Sequence, residues 1–289
     1  MKPDYAAQLR ADQQLVEAAL ASLYQEPGCG RLHEAMRYSL LASGKRIRPV
    51  LTLAFSRLLG GKDEPALRAG TAIEMVHTYS LIHDDLPCMD DDDLRRGMPT
   101  SHKVFGEAGA VLAGDALLTE AFLQLSAVPV SAEQRIQLVG VLAACAGASG
   151  MVGGQVLDLD AETIPADAEG VARIQSLKTG ALIRAACQVG VICANGDEAA
   201  MSAATDYAEH LGRAFQICDD LLDYEGSVEK LGKRTGMDAK KTTFLTLYGP
   251  DWCRSEIRAR TDAACAALAP YPDAGFLCWL AEALAIRDH

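Results

Sequence analysis

The sequence runs to 289 residues with 49% hydrophobic and 23% charged side chains, a composition that suits one large or two small globular domains and excludes a disordered or collagen-like chain. Its 27 Lys and Arg stand against 39 Asp and Glu, a net charge of −12, which disfavours general affinity for nucleic acid or an anionic membrane. Six Asp in 84–93 and three more in 219–223 carry most of that imbalance in two short clusters.

Apolar residues recur at three- and four-residue spacing along the chain, without sustained alternation rich in Val, Ile and Thr, so the fold class reads as all-α. In chain order, the segments between prolines predict helices over 4–24, 31–43, 47–60, 65–86, 103–127, 131–160, 168–194, 198–225, 236–248, 252–268 and 273–286. No Gly/Ser/Pro-rich linker divides them, and one domain over 1–289, a single large helical bundle, is expected. The first of these helices is charged where a secretory signal needs an unbroken apolar stretch. Within 131–160, the 22 residues from Ile136 to Leu157 carry no charge and are long enough to cross a bilayer. Their five glycines, with Gln137, Ser149 and Gln155, suit a small-residue helix inside a soluble core instead, so no membrane span is expected. Nine cysteines, an odd number with no C-x-x-C pair, argue against a disulfide framework or a zinc ribbon and fit a reducing cytoplasm.

The helix predicted over 65–86 places His77, Ser80 and Asp84 in a stripe at i, i+3 and i+7. Asp84 and Asp90 are six apart, which a regular helix would point away from each other. Pro87 disfavours helix at Leu86, and an unwound turn there would bring Asp90 round beside Asp84. On the helix over 198–225, Asp219 and Asp223 lie one turn apart on one face with Asp220 close by, and Gln216 precedes them on that face. I-x-D-D-L occurs at both Ile82–Leu86 and Ile217–Leu221, each at the C-terminal end of a long predicted helix.

Carboxylates packed this closely repel by roughly 1 kcal/mol per pair at about 4 Å even in bulk water, and a multivalent cation relieves the repulsion. An oxygen-only ligand set favours Mg²⁺ before Ca²⁺, and Mg²⁺ takes one or two carboxylates plus phosphate oxygens and water. If the two helices face each other, they enclose a cavity with carboxylates at its rim; for either cluster alone, an exposed acidic helix end is the rival reading. Basic residues supply the complement: Gly44-Lys45-Arg46-Ile47-Arg48-Pro49 near a helix start, Arg95-Arg96, Lys178-Thr179, Lys233-Arg234 and Lys240-Lys241. Together they suit a substrate whose phosphates are held by metal on one side and by Arg and Lys on the other.

The segment SLIHDDLPCMDDDDLRRGMPT (80–100) resembles the first aspartate-rich motif of short-chain trans-prenyl diphosphate synthases, and DDLLD (219–223) resembles the second. GKRIRP (44–49), GMVGGQVLDL (150–159), LKTG (177–180), FQICDD (215–220) and LGKRTG (231–236) are similar to that family's other blocks, in the same order. The resemblance implies an isoprenoid synthase fold around a central cavity, a homodimer, and head-to-tail joining of isopentenyl diphosphate to dimethylallyl or geranyl diphosphate. It implies three Mg²⁺ ions, for which Mn²⁺ can substitute, held by Asp84, Asp85, Asp90, Asp219, Asp220 and Asp223 around the allylic diphosphate. Arg95, Lys178, Lys233 and Lys241 would grip phosphate, while Thr179 and Gln216 would lie along the reacting allylic carbons. Gly44, Lys45, Arg48, His77 and Arg96 would bind isopentenyl diphosphate. Tyr79, five residues before the first Asp and about 7.5 Å below it on a helix, with Ser80, resembles the pattern that stops growth at fifteen carbons. Geranylgeranyl or geranyl diphosphate is the alternative product, since Val76 and Leu118 would also set pocket depth. Met98 stands where the family commonly has Lys, and Ala42-Ser43 where Gly often precedes GKR. A terpene cyclase is disfavoured by DDLLD together with GKRIRP, a di-iron bundle by the lack of Glu-x-x-His, and a silent partner subunit by the presence of both motifs.

Overall fold

The computed structural model describes residues 3–25, 30–231 and 242–286, with the backbone alone over 226–231. In chain order these residues form α1 (Tyr5–Ala21), α2 (Arg31–Leu40), α3 (Ile47–Leu58), α4 (Asp63–Asp84), β1 (Leu94–Arg95), β2 (Met98–Pro99), α5 (Ser101–Phe105), α6 (Glu107–Ser126), α7 (Ala132–Ala146) and α8 (Met151–Ala161). After α9 (Ala168–Gln175) comes a π turn, Ser176–Gly180, then α10 (Ala181–Cys193), α11 (Glu198–Leu231), α12 (Phe244–Tyr248), α13 (Pro250–Ala267) and α14 (Gly275–Ala285). The all-α expectation holds; β1 and β2 form a single antiparallel hairpin of two residues a side.

The chain gathers into two compact units, one comprising residues up to Gly140 with Val189–Asn195, the other Val141–Gln188 with residues from Gly196 on. The first is organised around α4. Asp63 and Glu64 in its opening turn complement the helix dipole, and Ala66, Ala69, Ile73, Met75, Val76, Tyr79 and Ile82 are buried on all sides of it. A helix apolar all round must be enclosed, and α3 and α6 flank it, with Leu51, Leu53 and Phe55 on the one side and Ala113 and Leu117 on the other. The second unit is organised around α11, which packs along α13. Ile217, Cys218 and Leu221 turn inward to join Val171, Phe244, Cys253 and Ile257, so Asp219, Asp220 and Asp223 are left on the outward face. Buried Tyr207, higher on the same helix, donates its hydroxyl hydrogen to Leu277 O.

Three predicted helices prove to be interrupted. The stretch over 103–127 breaks at Gly106, whose φ of 80° lies outside helical space; 131–160 breaks in the small-residue run 147–150; and 168–194 widens into the π turn. The helix predicted over 198–225 instead continues to Leu231, and of that predicted over 236–248 only α12 falls among the described residues. By length and apolar composition, α6 and the stretch Ala132–Ala161 could cross a membrane, but α6 lies along α4 and the second stretch is not one helix.

Candidate active site

In the first unit, α4 presents His77, Tyr79, Ser80 and Asp84 and then ends. Leu86 N–H donates to His83 O and Met89 N–H to Leu86 O, tightening the chain ahead of Pro87, until Asp90 N–H reaches back to Asp84 O at 2.8 Å. The unwound turn expected from Pro87 is therefore present, and it ties Asp90 to Asp84 through the backbone. The β1–β2 hairpin follows, with Arg96 and Gly97 both at positive φ (54° and 76°) in its two-residue connection, the conformation that matches a right-twisted ribbon.

The hairpin and α5 after it each return a cation to the motif. Arg95 Nε donates to Asp85 Oδ1 at 2.5 Å and its Nη2 to Asp92 Oδ2 at 3.1 Å, while Lys103 pairs with Asp93 at 2.7 Å. Asp85 is buried, which pushes its carboxyl pKa up against the opposing pull of Arg95. Asp85 Oδ1 is thus engaged by Arg95.

Arg96 points the other way, and its guanidinium lies over Gly44. A Cβ there would come within 2.7 Å of Nη1, so any side chain at 44 would displace Arg96. His77 lies in the same recess. Burial, followed by the charges of Arg48, Arg96, Arg46 and Arg95, holds its imidazole well below the usual histidine pKa and therefore neutral. Arg48 and Arg96 thus lie near His77, and Arg96 near Gly44, which with Arg10, Gln13, Gln14 and Glu17 lines a cavity of about 350 Å³; Lys45 meets that flank through its carbonyl, which accepts from Gln13 Nε2. Tyr79 is buried and meets His83 edge-on with ring centroids 5.7 Å apart. Burial and then the Asp84 charge push its phenol pKa up. Ser80 caps its own turn, donating to His77 O.

In the second unit the π turn carries Lys178 and Thr179. Such a turn inserts one residue into a helix and swings the side chains that follow, a device common at functional sites. Gly154 of α8 lies against its backbone, where a Cβ would collide with Lys178 N, and a Cβ on Gly212 of α11 would stand 3.2 Å from Gly180 Cα. Thr179 donates to Gln216 Oε1 at 2.9 Å, and Asp220 accepts from Gln175 Nε2 at 3.1 Å and Gln216 Nε2 at 3.4 Å. Lys178 Nζ pairs with Asp158 Oδ2 at 2.7 Å. Asp158, Gln175, Lys178, Thr179, Gln216 and Asp220 line a cavity of about 210 Å³, while Asp219 and Asp223 lie on the same outward side of α11.

Sequence reading missed the roles of Asp158 and Gln175. Asp158 stands in the GMVGGQVLDL block, but nothing local links it to a lysine twenty residues on; Gln175 carried no signal at all. Lys233 and Lys241 lie outside the described residues. Among the described residues, no three His, Cys, Asp or Glu side chains converge as a self-sufficient metal site. Magnesium asks for less, one or two carboxylates with phosphate oxygens and water completing an oxygen shell, and Asp84 with Asp90 and the outward Asp row of α11 offer donors of that kind.

Residues 30–266 match the model of the family described as "Polyprenyl synthetase". The farnesyl diphosphate synthase of Bacillus subtilis (strain 168) is 48% identical over 231 residues, 78% of either chain. The chloroplastic geranylgeranyl pyrophosphate synthase of Catharanthus roseus is 44% identical over 296 residues, covering 99% of this chain and 82% of its own. Among solved structures, an FPP/GFPP synthase from Zymomonas mobilis in its apo form superposes with a TM-score of 0.88 at 42% identity, covering 96% of this chain and 99% of the other.

Proposed function

The chain belongs to the polyprenyl synthetase family, and we propose that it is a trans-prenyltransferase that joins isopentenyl diphosphate to dimethylallyl or geranyl diphosphate, with farnesyl diphosphate as its main product. The observation that carries this reading is the pairing along α4 of the carboxylate turn at Asp84 and Asp90, which would take a diphosphate through Mg²⁺, with the guanidinium groups around His77, two helical turns or about 10 Å below. Such a spacing suits two diphosphate-bearing substrates whose reacting carbons must meet between their charged ends.

Asp84 and Asp90 in the first unit would hold Mg²⁺ against a diphosphate, and Asp219, Asp220 and Asp223 in the second would be Mg²⁺ ligands of the same kind. Bound there, the metal would neutralise charge on the departing diphosphate. The chain's own residues do the rest. Arg95, oriented by Asp85, and Lys178, oriented by Asp158, place fixed positive charge where the leaving group becomes more negative. Thr179 and Gln216, locked to each other, would line the allylic carbons as the C–O bond breaks and cationic character develops. Lys45, Arg48, Arg96 and neutral His77 would fix isopentenyl diphosphate so that its double bond attacks, and the released diphosphate would accept the proton lost at the end. No covalent enzyme intermediate is formed.

Buried Tyr79 would floor the tail pocket. Purified protein supplied with Mg²⁺, isopentenyl diphosphate and dimethylallyl diphosphate should yield mainly a fifteen-carbon alcohol after dephosphorylation and chromatography. A dominant twenty-carbon peak would overturn the Tyr79 assignment, and no condensation would overturn the enzyme reading. The protein would act as a homodimer. Val111, Leu112 and Leu123 of α6 and Ile136 of α7 are exposed on the first unit, an apolar surface that a second copy would cover. Sedimentation at micromolar concentration should give twice the 30.7 kDa chain mass. Free thiols at all eight described cysteines suit the cytoplasm as its compartment.

A further inference from the structure

Between the two residues of GKRIRP assigned to isopentenyl diphosphate stands Arg46, whose side chain is fully buried. A buried guanidinium is costly unless its fork is filled, and here it is. Nε donates to Glu17 of α1 at 2.6 Å, Nη1 to Glu74 of α4 at 2.8 Å, and Nη2 to the carbonyls of Leu40 and Ala42 at 2.9 and 2.8 Å. The backbone of Arg46 is left-handed, φ 49° and ψ 34°, a costly conformation for a residue with a Cβ, and its carbonyl accepts from Val50 N–H at the start of α3. One residue therefore ties together α1, α4 and the end of α2 through its side chain and the start of α3 through its carbonyl.

The parts it ties are those that form the recess. Ala42 O, held by Arg46, also accepts from Arg96 at 3.4 Å, the guanidinium that lies over Gly44. Lys45 O accepts from Gln13 Nε2 at 2.9 Å on the same α1 face that supplies Glu17. Arg48 stands in the first turn of α3, which leaves Arg46 directly. Lys45 adjoins Arg46, Gly44 and Arg48 stand two residues to either side, and Arg96 shares the Ala42 carbonyl with it.

We infer that Arg46, clamped by Glu74 and Glu17, is a positioning residue that sets the Gly44–Arg48 turn for isopentenyl diphosphate without touching the substrate, an inference that rests on the prenyltransferase reading above. A buried ion pair adds little net stability over an apolar pair of similar volume, but removing one partner alone strands a charge. Stability and positioning can therefore be separated experimentally.

The test compares wild type, Arg46→Lys, the double variant Arg46→Met/Glu74→Leu, and Gln13→Ala at the half-exposed α1 face. Readouts are calorimetric binding of isopentenyl diphosphate, the KM of each substrate, kcat and Tm. The double variant should keep a Tm within a few degrees of wild type yet raise the Kd and KM for isopentenyl diphosphate by roughly tenfold to a hundredfold, the scale at which a displacement of about 1 Å acts. Arg46→Lys should fall between, and Gln13→Ala should raise the same constants by about threefold, while the allylic KM and saturated kcat stay within about twofold. Wild-type affinity in the double variant, or proportional loss in both substrates, would overturn the inference alone. A wild-type protein that neither binds isopentenyl diphosphate nor condenses it would overturn the prenyltransferase reading, and this inference with it.

Discussion

The two aspartate clusters share the string I-x-D-D-L and stand in different local settings. The first stands at a helix end, where the chain unwinds, and it is partly neutralised by nearby cations, Arg95 of the hairpin on Asp85 and Asp92 and Lys103 of α5 on Asp93. The second lies within a helix that runs eight residues beyond Asp223, and Asp220 is held by the neutral amides of Gln175 and Gln216. A cluster that carries its own counter-ions can keep its shape at any metal concentration, whereas amides orient a carboxylate without cancelling its charge. The same five-residue string thus meets guanidinium and ammonium groups in one unit, and in the other it includes an aspartate oriented by side-chain amides.

The sharpest way to break this comparison is to remove one carboxylate from each cluster. Asp84→Ala and Asp219→Ala should each lower turnover by roughly two to three orders of magnitude, the scale lost when a preorganised charge at a developing anion is removed. Far-ultraviolet circular dichroism should be unchanged in both. Near-normal turnover in either variant would show that its cluster does not hold metal. A smaller effect separates roles inside the first cluster. Asp85→Asn should reduce kcat/KM for the allylic substrate about tenfold by releasing Arg95, with the Mg²⁺ concentration for half-maximal rate unchanged. Asp84→Asn should shift that concentration upward, and an equal shift in both would return Asp85 to the ligand set.

How much of this was legible follows the range of the interactions. Asp90 beside Asp84 could be read from Pro87, because a missing N–H acts within a few residues, and the shared face of Gln216, Asp219 and Asp223 follows from helical period alone. The long predicted helices failed where glycine lowers helix propensity without announcing a break, at Gly106 and 147–150. The π turn was illegible because its cause is tertiary. The backbone of Lys178 packs on Gly154, and Lys178 needs Asp158, contacts that cross twenty residues or more. The hairpin 94–99 was overlooked because two residues a side is too short for alternation to register.

The second cluster's neighbourhood offers the next test. Asp158 and Lys178 are both mostly sheltered, so a double-mutant cycle with Asp158→Asn and Lys178→Met should give a coupling on the order of 1 kcal/mol in kcat/KM for the allylic substrate. Additive losses would mean that Asp158 does not orient Lys178.

Acid should distinguish the two regions least dramatically, through His77. Its folded pKa lies below the usual value near 6.5 because of burial and the surrounding guanidinium groups. As pH falls through about 6.5, the unfolded chain takes up a proton at His77 that the folded chain refuses, so stability declines with decreasing pH, by at most about 1.4 kcal/mol per unit for one group. Above that pH both states are neutral at His77 and the contribution vanishes. His77→Asn should flatten this part of the stability profile between pH 6.5 and 5, measured by urea unfolding, whereas Gln216→Ala, which removes a group that does not titrate, should leave it in place. An unchanged slope in His77→Asn would mean that the recess does not hold His77 neutral.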